Sequence, residues 1–173
     1  NQATGYNQAS VGGVYLNSSV FTMTGGSITG NNSTVTDTSF SSTGGVRATG
    51  ISLQPIVTVG GTAQIYDNWI SGEKSGDSYV KGDNGTAGNV LLGTYGSSNS
   101  KTDVTLSISS ETPLTSDAKI GVTTNTAPTS DATVPFATGA KAADKAYFSS
   151  DKGNGIVYNS DSKQLEMQAV AHS

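Results

Sequence analysis

Aromatic side chains of the kind that bind sugars cluster around two polar, Gly-rich stretches of the sequence, Trp69–Ala87 and Gly93–Asp103. Both stretches are predicted to be surface loops. An aromatic ring packs against the apolar face of a sugar, while neighbouring carboxylate and amide groups bond its hydroxyls. An alternative is that Trp69 packs beneath its own loop. The candidate ligand-binding residues are Tyr66, Asp67, Trp69, Tyr79 and Tyr95.

Residues suited to catalysis are sparse. His172, the only histidine, lies close to the C-terminal end of the sequence, which argues against a histidine-based triad. Hydrolysis of a glycosidic bond needs two carboxyl groups facing each other across a cleft. Asp67 and Asp103 lie beside the two loops and are the candidate pair, while Arg47, the sole arginine, is expected on the solvated surface. We therefore predict no catalytic residue and a protein that is not an enzyme.

Candidate metal ligands are also few in the sequence. The stretch from Asp77 to Gly85 offers oxygen ligands near glycines, but it lacks the carboxylate spacing of a calcium loop and Lys81 interrupts it. The absence of cysteine excludes disulfides, thiolate metal sites and cysteine nucleophiles. We predict no metal and no cofactor.

Short apolar runs separated by Gly, Asn and Ser corners organise the first two thirds of the chain. Three runs of strand length recur three times, which is typical of a β-solenoid built from repeated coils. In this interpretation Ile28, Ile65 and Ile120 form one inward stack. The runs are Val14–Leu16, Val20–Met23 and Ser27–Thr29; then Gly50–Leu53, Ile56–Val59 and Ala63–Ile65; then Val90–Leu92, Val104–Ile108 and Leu114–Val122.

The pattern changes after residue 122. The stretch from Ala140 to Ala146 favours one or two helical turns. Gly155–Met167 predicts a terminal β-hairpin, because Asn159-Ser160-Asp161-Ser162 is strong turn chemistry. The expected organisation is one solenoid domain over residues 1–173, with coils over about 12–122 and a C-terminal cap over about 123–173.

The composition argues against nucleic acid and membranes as partners of this chain. Charged residues make up 13% of the chain and the net charge is −4, so a nucleic-acid partner is not expected. The lysines are scattered and no apolar run is long enough to span a bilayer, so membrane insertion is not expected either. Because the sequence opens on Asn1 rather than Met, we expect a processed chain or a piece of a larger one.

The order of the motifs resembles a known family. GGVYL, FTMTGGSITGN, TVGGTAQIYDN, LTSDAKIGVTT and the closing GIVYNSDSKQLEMQ are similar to the parallel β-helix repeats of large Gram-positive, adhesin-like surface proteins of gut anaerobes. The resemblance covers about residues 12–168. It implies an all-β, right-handed parallel β-helix like that of pectate lyases, secreted and displayed on the cell wall, and it carries no catalytic residues across.

The function expected from these observations is a non-catalytic cell-surface module. It would be a structural stalk or an adhesin that presents its loops to a glycan or to a host or cell-surface protein. The expected location is extracellular, with attachment to the cell wall or surface through parts of a larger protein. The alternative is a carbohydrate-active enzyme or a carbohydrate-binding module on the same scaffold.

Overall fold

The computed structural model describes residues 1–5, 10–35 and 42–170. The described residues form short strands joined by tight turns, with a short 3₁₀ helix near the C-terminal end, so the all-β character is confirmed. The first nine strands are β1 (Gln2–Gly5), β2 (Val14–Asn17), β3 (Val20–Met23), β4 (Ser27–Ile28), β5 (Asn32–Val35), β6 (Val46–Thr49), β7 (Ile56–Val59), β8 (Gln64–Ile65) and β9 (Trp69–Ile70).

The later elements include two hairpins in the regions predicted to be loops. The next seven strands are β10 (Glu73–Ser75), β11 (Ser78–Val80), β12 (Thr86–Ala87), β13 (Val90–Leu92), β14 (Thr94–Ser97), β15 (Ser100–Asp103) and β16 (Leu106–Ile108). The chain ends with β17 (Lys119–Thr124), β18 (Val134–Thr138), the 3₁₀ helix (Ala142–Tyr147), β19 (Phe148–Ser150), β20 (Gly155–Asn159) and β21 (Gln164–Gln168).

Parallel pairing between strands distant in sequence dominates the two largest sheets. The seven-stranded sheet runs β2-β6-β13-β17-β8-β4, with β19 also paired to β17. The six-stranded sheet runs β20-β21-β18-β16-β7-β3, and a four-stranded sheet runs β1-β5-β9-β12. Antiparallel pairs join β9 to β12, β18 to β21 and β20 to β21, and they also form the hairpins β10–β11 and β14–β15.

The predicted right-handed parallel β-helix, a pectate-lyase-like solenoid, is wrong as the fold class. The described strands form five sheets, two of them mixed and two of them isolated antiparallel hairpins. A regular coil is not maintained, because the insertions after β9 and β13 pair with themselves instead of extending a ladder. In addition, β17 pairs with β13 through Val122–Thr124 and with β8 through Lys119–Ile120, which joins two rows of strands in one sheet.

Some predicted registers are nevertheless correct. Ile28 lies opposite Ile65, and Ile65 lies opposite Ile120, as the inward stack required. The strand predicted at Gly50–Leu53 is displaced, because β6 is the strand that pairs with β2 and places Val14 opposite Val46. Alternation explains the difference: Val46 and Ala48 are fully buried on one face of β6, whereas Ile51 and Leu53 lie in an exposed turn.

One continuous core lies between the sheets, and the C-terminal hairpin closes over part of it. The hairpin is confirmed, and Asn159 Oδ1 accepts hydrogen bonds from the N–H groups of Asp161 and Ser162 within its turn. Leu165 and Met167 of β21 are buried against β18. In the part of the chain that the structure describes, no helix has the length and apolar character needed to cross a membrane.

Candidate functional site

A cleft of about 500 Å³ beside β8, β17 and β19 is the candidate functional site. We call it the Tyr66 cleft. Its volume lies within the range of small-molecule sites, about 300–1,000 Å³. Most of its polar side chains are exposed or half-buried and therefore accessible from solvent. It is lined by Gln64, Tyr66, Ser116, Asp117, Ala118, Lys119, Ala146, Tyr147, Phe148 and Ser149.

Strand register positions these residues. Ile65, Ile120 and Phe148 lie opposite one another on β8, β17 and β19, and they face the core. Because successive side chains of a strand point to opposite faces, the neighbours of these three residues face outward. The neighbours include Gln64 and Tyr66 on β8 and its continuation, together with Lys119 on β17. The buried row thus anchors the outward groups of the cleft on paired backbone.

The cleft combines an aromatic face with polar groups of both charges. The ammonium nitrogen of Lys119 lies 4.4 Å from the centroid of the Tyr66 ring, within cation–π distance. Gln64 Nε2 donates a 2.8 Å hydrogen bond to the backbone carbonyl of Asp117, which fixes the turn that carries the carboxylate. A ring, an amide, an ammonium and a carboxylate on one open surface suit recognition of a hydroxyl-rich ligand.

The five predicted ligand-binding residues do not form one site. Tyr66 lines the cleft, and Asp67 is exposed beside it with a left-handed backbone (φ 52°). Tyr79 lies on β11, where its N–H donates to the Gly30 carbonyl, and Tyr95 lies on β14, partly buried against the core. A ligand-binding role for Tyr79 and Tyr95 stays a prediction, and neither residue lines the cleft.

Trp69 is half-buried rather than protruding. It lies on β9 between Asn32 and Ala87, and its indole Nε1 is buried without a hydrogen-bond partner among the described residues. Packing under its own loop, the alternative raised from the sequence, matches this position. A sugar platform at Trp69 would need the indole face to be more exposed than it is here.

Sequence reasoning missed most of the cleft. Lys119, Gln64 and Asp117 were not singled out, although the alignment of Ile65 with Ile120 contained a usable signal. Once these two residues are placed inward, their neighbours Gln64 and Lys119 must face outward in adjacent positions. The position of Tyr147 depends on the 3₁₀ helix that precedes β19, and no sequence pattern places that helix on β17.

A second polar cluster is structural. Asn31, Asn68 and Asn89 form a ladder of buried side chains that ends on the Asp151 carboxylate. Asn68 Oδ1 accepts from Asn31 Nδ2 at 2.9 Å, and Asn89 Nδ2 donates to Asp151 Oδ1 at 2.7 Å. Thr123 Oγ1 donates to the second carboxylate oxygen at 2.7 Å. Because these groups bond one another, the ladder holds strands together and is not a ligand site.

Carboxylates elsewhere are also engaged. Asp103 accepts hydrogen bonds from Asn125 Nδ2 and Thr126 Oγ1, and no contact joins it to Asp67 among the described residues.

Arg47 is half-buried, with its guanidinium carbon 5.4 Å from the centroid of the Tyr15 ring. His172 lies outside the described residues.

Metal-ligating side chains are not clustered in the described part of the chain. Over residues 1–5, 10–35 and 42–170, no group of three or more His, Cys, Asp or Glu side chains is placed to hold a metal ion.

Comparisons of this chain with protein-family models, curated proteins and solved structures found no match.

Proposed function

We propose that this chain is a non-catalytic binding module of an extracellular, cell-surface protein, and that it holds a glycan in the Tyr66 cleft. The observation that carries the proposal is the convergence of Tyr66, Lys119 and Asp117 on one accessible cleft. The sheet behind the cleft is anchored by buried residues, so the ligand would bind to a preformed surface. The Ser-, Thr-, Asn- and Gly-rich, cysteine-free composition supports a location outside the cell.

Each side chain of the cleft would make a different kind of contact with the glycan. The exposed part of the Tyr66 ring would pack on the C–H face of a pyranose ring. Asp117 would accept hydrogen bonds from sugar hydroxyls, and Lys119 would donate to them. The proposed role is adhesion, since the chemistry of these residues favours holding a ligand and supplies no bond-breaking step.

Glycan-array binding with the wild type, Tyr66→Ala and Tyr66→Phe tests the proposal. We expect the alanine variant to bind the best glycan about tenfold more weakly, which corresponds to about 1.4 kcal/mol of lost ring contact. Tyr66→Phe should retain most of the affinity, because it keeps the ring and loses only the hydroxyl. Tyr15→Ala is the matched control and should bind like the wild type, because Tyr15 is an exposed tyrosine that also lies beside a cation, Arg47, but does not line the cleft.

Three outcomes would contradict the proposal. If the wild type binds no glycan, the ligand class is wrong and the stalk interpretation gains. If Tyr66→Ala binds as tightly as the wild type, the cleft is not the site. If reducing ends are released from a bound oligosaccharide, the module is catalytic and the alternative of a carbohydrate-active enzyme takes its place.

A further inference from the structure

The first four strands are terminal strands of their sheets, and β1 is the end of the four-stranded sheet. β2 and β4 are the two ends of the seven-stranded path, and β3 ends the six-stranded sheet. The carbonyls of Ser19, directly before β3, and of Met23, its last residue, accept hydrogen bonds from the N–H groups of Ile56 and Gly60. In a parallel pair, alternate residues bond to the same neighbour. The N–H and C=O groups of Val20 and Thr22 therefore point away from β7, toward the open side of β3, where no strand of the described residues pairs with it.

Exposed aliphatic side chains surround this open side. Val20 is 69% exposed and lies opposite Ile56, which is 54% exposed. Ile51 and Leu53 are 75% and 71% exposed in the turn before β7. Ser18 Oγ donates to the Leu53 carbonyl, so this turn lies against the connection between β2 and β3. We call the open side of β3, with these four aliphatic side chains, the neutral edge.

Charge is almost absent from the part of the sequence that builds the neutral edge. The chain has nine Lys and Arg and thirteen Asp and Glu, yet within residues 1–66 only Asp37 and Arg47 are charged. The opposite end of the six-stranded sheet differs, because its terminal hairpin carries Asp161, Lys163 and Glu166. Proteins commonly protect a sheet edge with charges, prolines or a bulge, and β3 has no charged residue and no proline.

We propose that the neutral edge is a self-association surface, on which β3 of a second copy pairs antiparallel about a two-fold axis. Antiparallel pairing lets one edge complement itself, since each strand offers both N–H and C=O groups. The absence of charge permits two identical surfaces to meet without repulsion, although each chain carries a net charge of −4. The apolar side chains around β3 would be buried by the partner, which favours association.

A second copy fits this surface better than a charged partner does, because the edge offers no charge for such a partner to complement. The interface would also leave the Tyr66 cleft available, since no residue of the neutral edge lines it. The proposal is therefore independent of glycan binding. A dimer would present two clefts, one from each copy.

Light scattering coupled to size-exclusion chromatography tests the proposal on the wild type and two variants. We expect the wild type to be a dimer that dissociates on dilution over roughly a hundredfold range of concentration. Val20→Lys places a charge at the centre of the interface. Thr22→Pro removes the Thr22 N–H, which points away from β7, so the substitution removes a donor of the interface and leaves the bonds between β3 and β7 in place. Both variants should be monomers, with far-UV circular dichroism and melting temperature close to those of the dissociated wild type.

Val80→Lys is the matched control, because Val80 is an exposed valine at 43% on the separate β11 hairpin. It should remain a dimer. The proposal is overturned if the wild type is a monomer throughout, or if Val20→Lys and Thr22→Pro still dimerise while folded. Open-ended polymers of the wild type would also overturn it, because a two-fold interface closes on itself.

Discussion

At the scale of single residues, the buried asparagines do more for this fold than their sequence positions indicate. Asn31 and Asn68 lie at predicted corners, where asparagine suits turn geometry. The structure shows a further role, because Asn68 Nδ2 donates to the Ile28 carbonyl at 2.8 Å and to Asn89 Oδ1 at 3.1 Å. The same nitrogen also donates to the carbonyl of Tyr66, so the ladder supports the backbone of the cleft.

Replacing Asn68 with alanine should therefore be costly. The backbone N–H and the side-chain Nδ2 of Asn31 both donate to Asn68 Oδ1 and would lose that partner, and each unpaired buried group costs about 1–3 kcal/mol. We expect the free energy of unfolding, measured by urea denaturation, to fall by about 3 kcal/mol. Asn125→Ala is the control, since Asn125 is exposed and its side chain makes an exposed hydrogen bond to the carboxylate of Asp103, and it should change stability by less than about 0.5 kcal/mol. Equal unfolding midpoints for the two variants would show that the ladder does not stabilise the fold.

At the scale of elements, glycine recurs just before several strands of the seven-stranded sheet. Gly12-Gly13 precedes β2 and Gly44-Gly45 precedes β6, while Gly88-Asn89 precedes β13. The backbones approach closely here: Val14 N donates to the Gly45 carbonyl at 3.0 Å, and Val46 N donates to the Asn89 carbonyl at 2.7 Å. Gly25-Gly26 also precedes a strand of this sheet, β4, but a Cβ at either position would meet no neighbouring backbone atom within 4 Å.

Two glycine substitutions separate close approach from turn composition. A Cβ at Gly45 would overlap the carbonyl oxygen of Asn89, whereas a Cβ at Gly25 would lie 3.5 Å from Thr62 Oγ1, an ordinary contact. We expect Gly45→Ala to lower the free energy of unfolding by about 1–3 kcal/mol. Gly25→Ala should be neutral or stabilise by up to about 1 kcal/mol, because alanine restricts the unfolded chain. Chemical denaturation of both variants checks this, and a Gly45→Ala protein as stable as Gly25→Ala would contradict it.

Local patterns of the sequence predicted local structure well. The alternation around Ile28, Ile65 and Ile120 places these residues correctly, because an inward side chain must be apolar in every strand of the row. The terminal hairpin was predictable from its turn residues. The strand near residue 50 was misplaced, because Ile51 and Leu53 are apolar yet exposed. Apolar residues indicate burial only when something covers them, and sequence does not show what lies above a surface turn.

At the scale of the whole molecule, the fold class was beyond reach because strand partners are chosen across long separations. The sequence shows that Val90–Leu92 and Leu114–Val122 contain strands. It does not show that β17 bonds to β13, β8 and β19 together, which joins two rows of strands in one sheet. The Tyr66 cleft depends on that shared strand, since Lys119 and Gln64 lie opposite each other across β17 and β8. For the same reason, its residues could not all be identified in advance.

The two ends of the six-stranded sheet should behave differently when they are altered. Truncation after Asn154 removes β20 and β21, and with them the fully buried Leu165 and Met167. Each such side chain contributes about 1.5–3 kcal/mol, so the two together contribute about 3–6 kcal/mol, which is comparable to the lower end of the total stability of a small domain, about 5–15 kcal/mol. We expect the truncated chain to melt at a much lower temperature, and its exposed β18 edge should produce large assemblies in size-exclusion chromatography.

Truncation after Gln168 is the matched control, because it keeps both strands of the hairpin and should melt like the full chain. Adding Val20→Lys to the chain that ends at Asn154 distinguishes assembly through β3 from assembly through β18. If assemblies persist in that double variant, they form through β18, as expected once the hairpin is gone. A chain ending at Asn154 that melts cooperatively at the temperature of the full chain would show that the hairpin is dispensable. The stability of the sheet would then have to come from the remaining strands β18, β16, β7 and β3, which pair in that order.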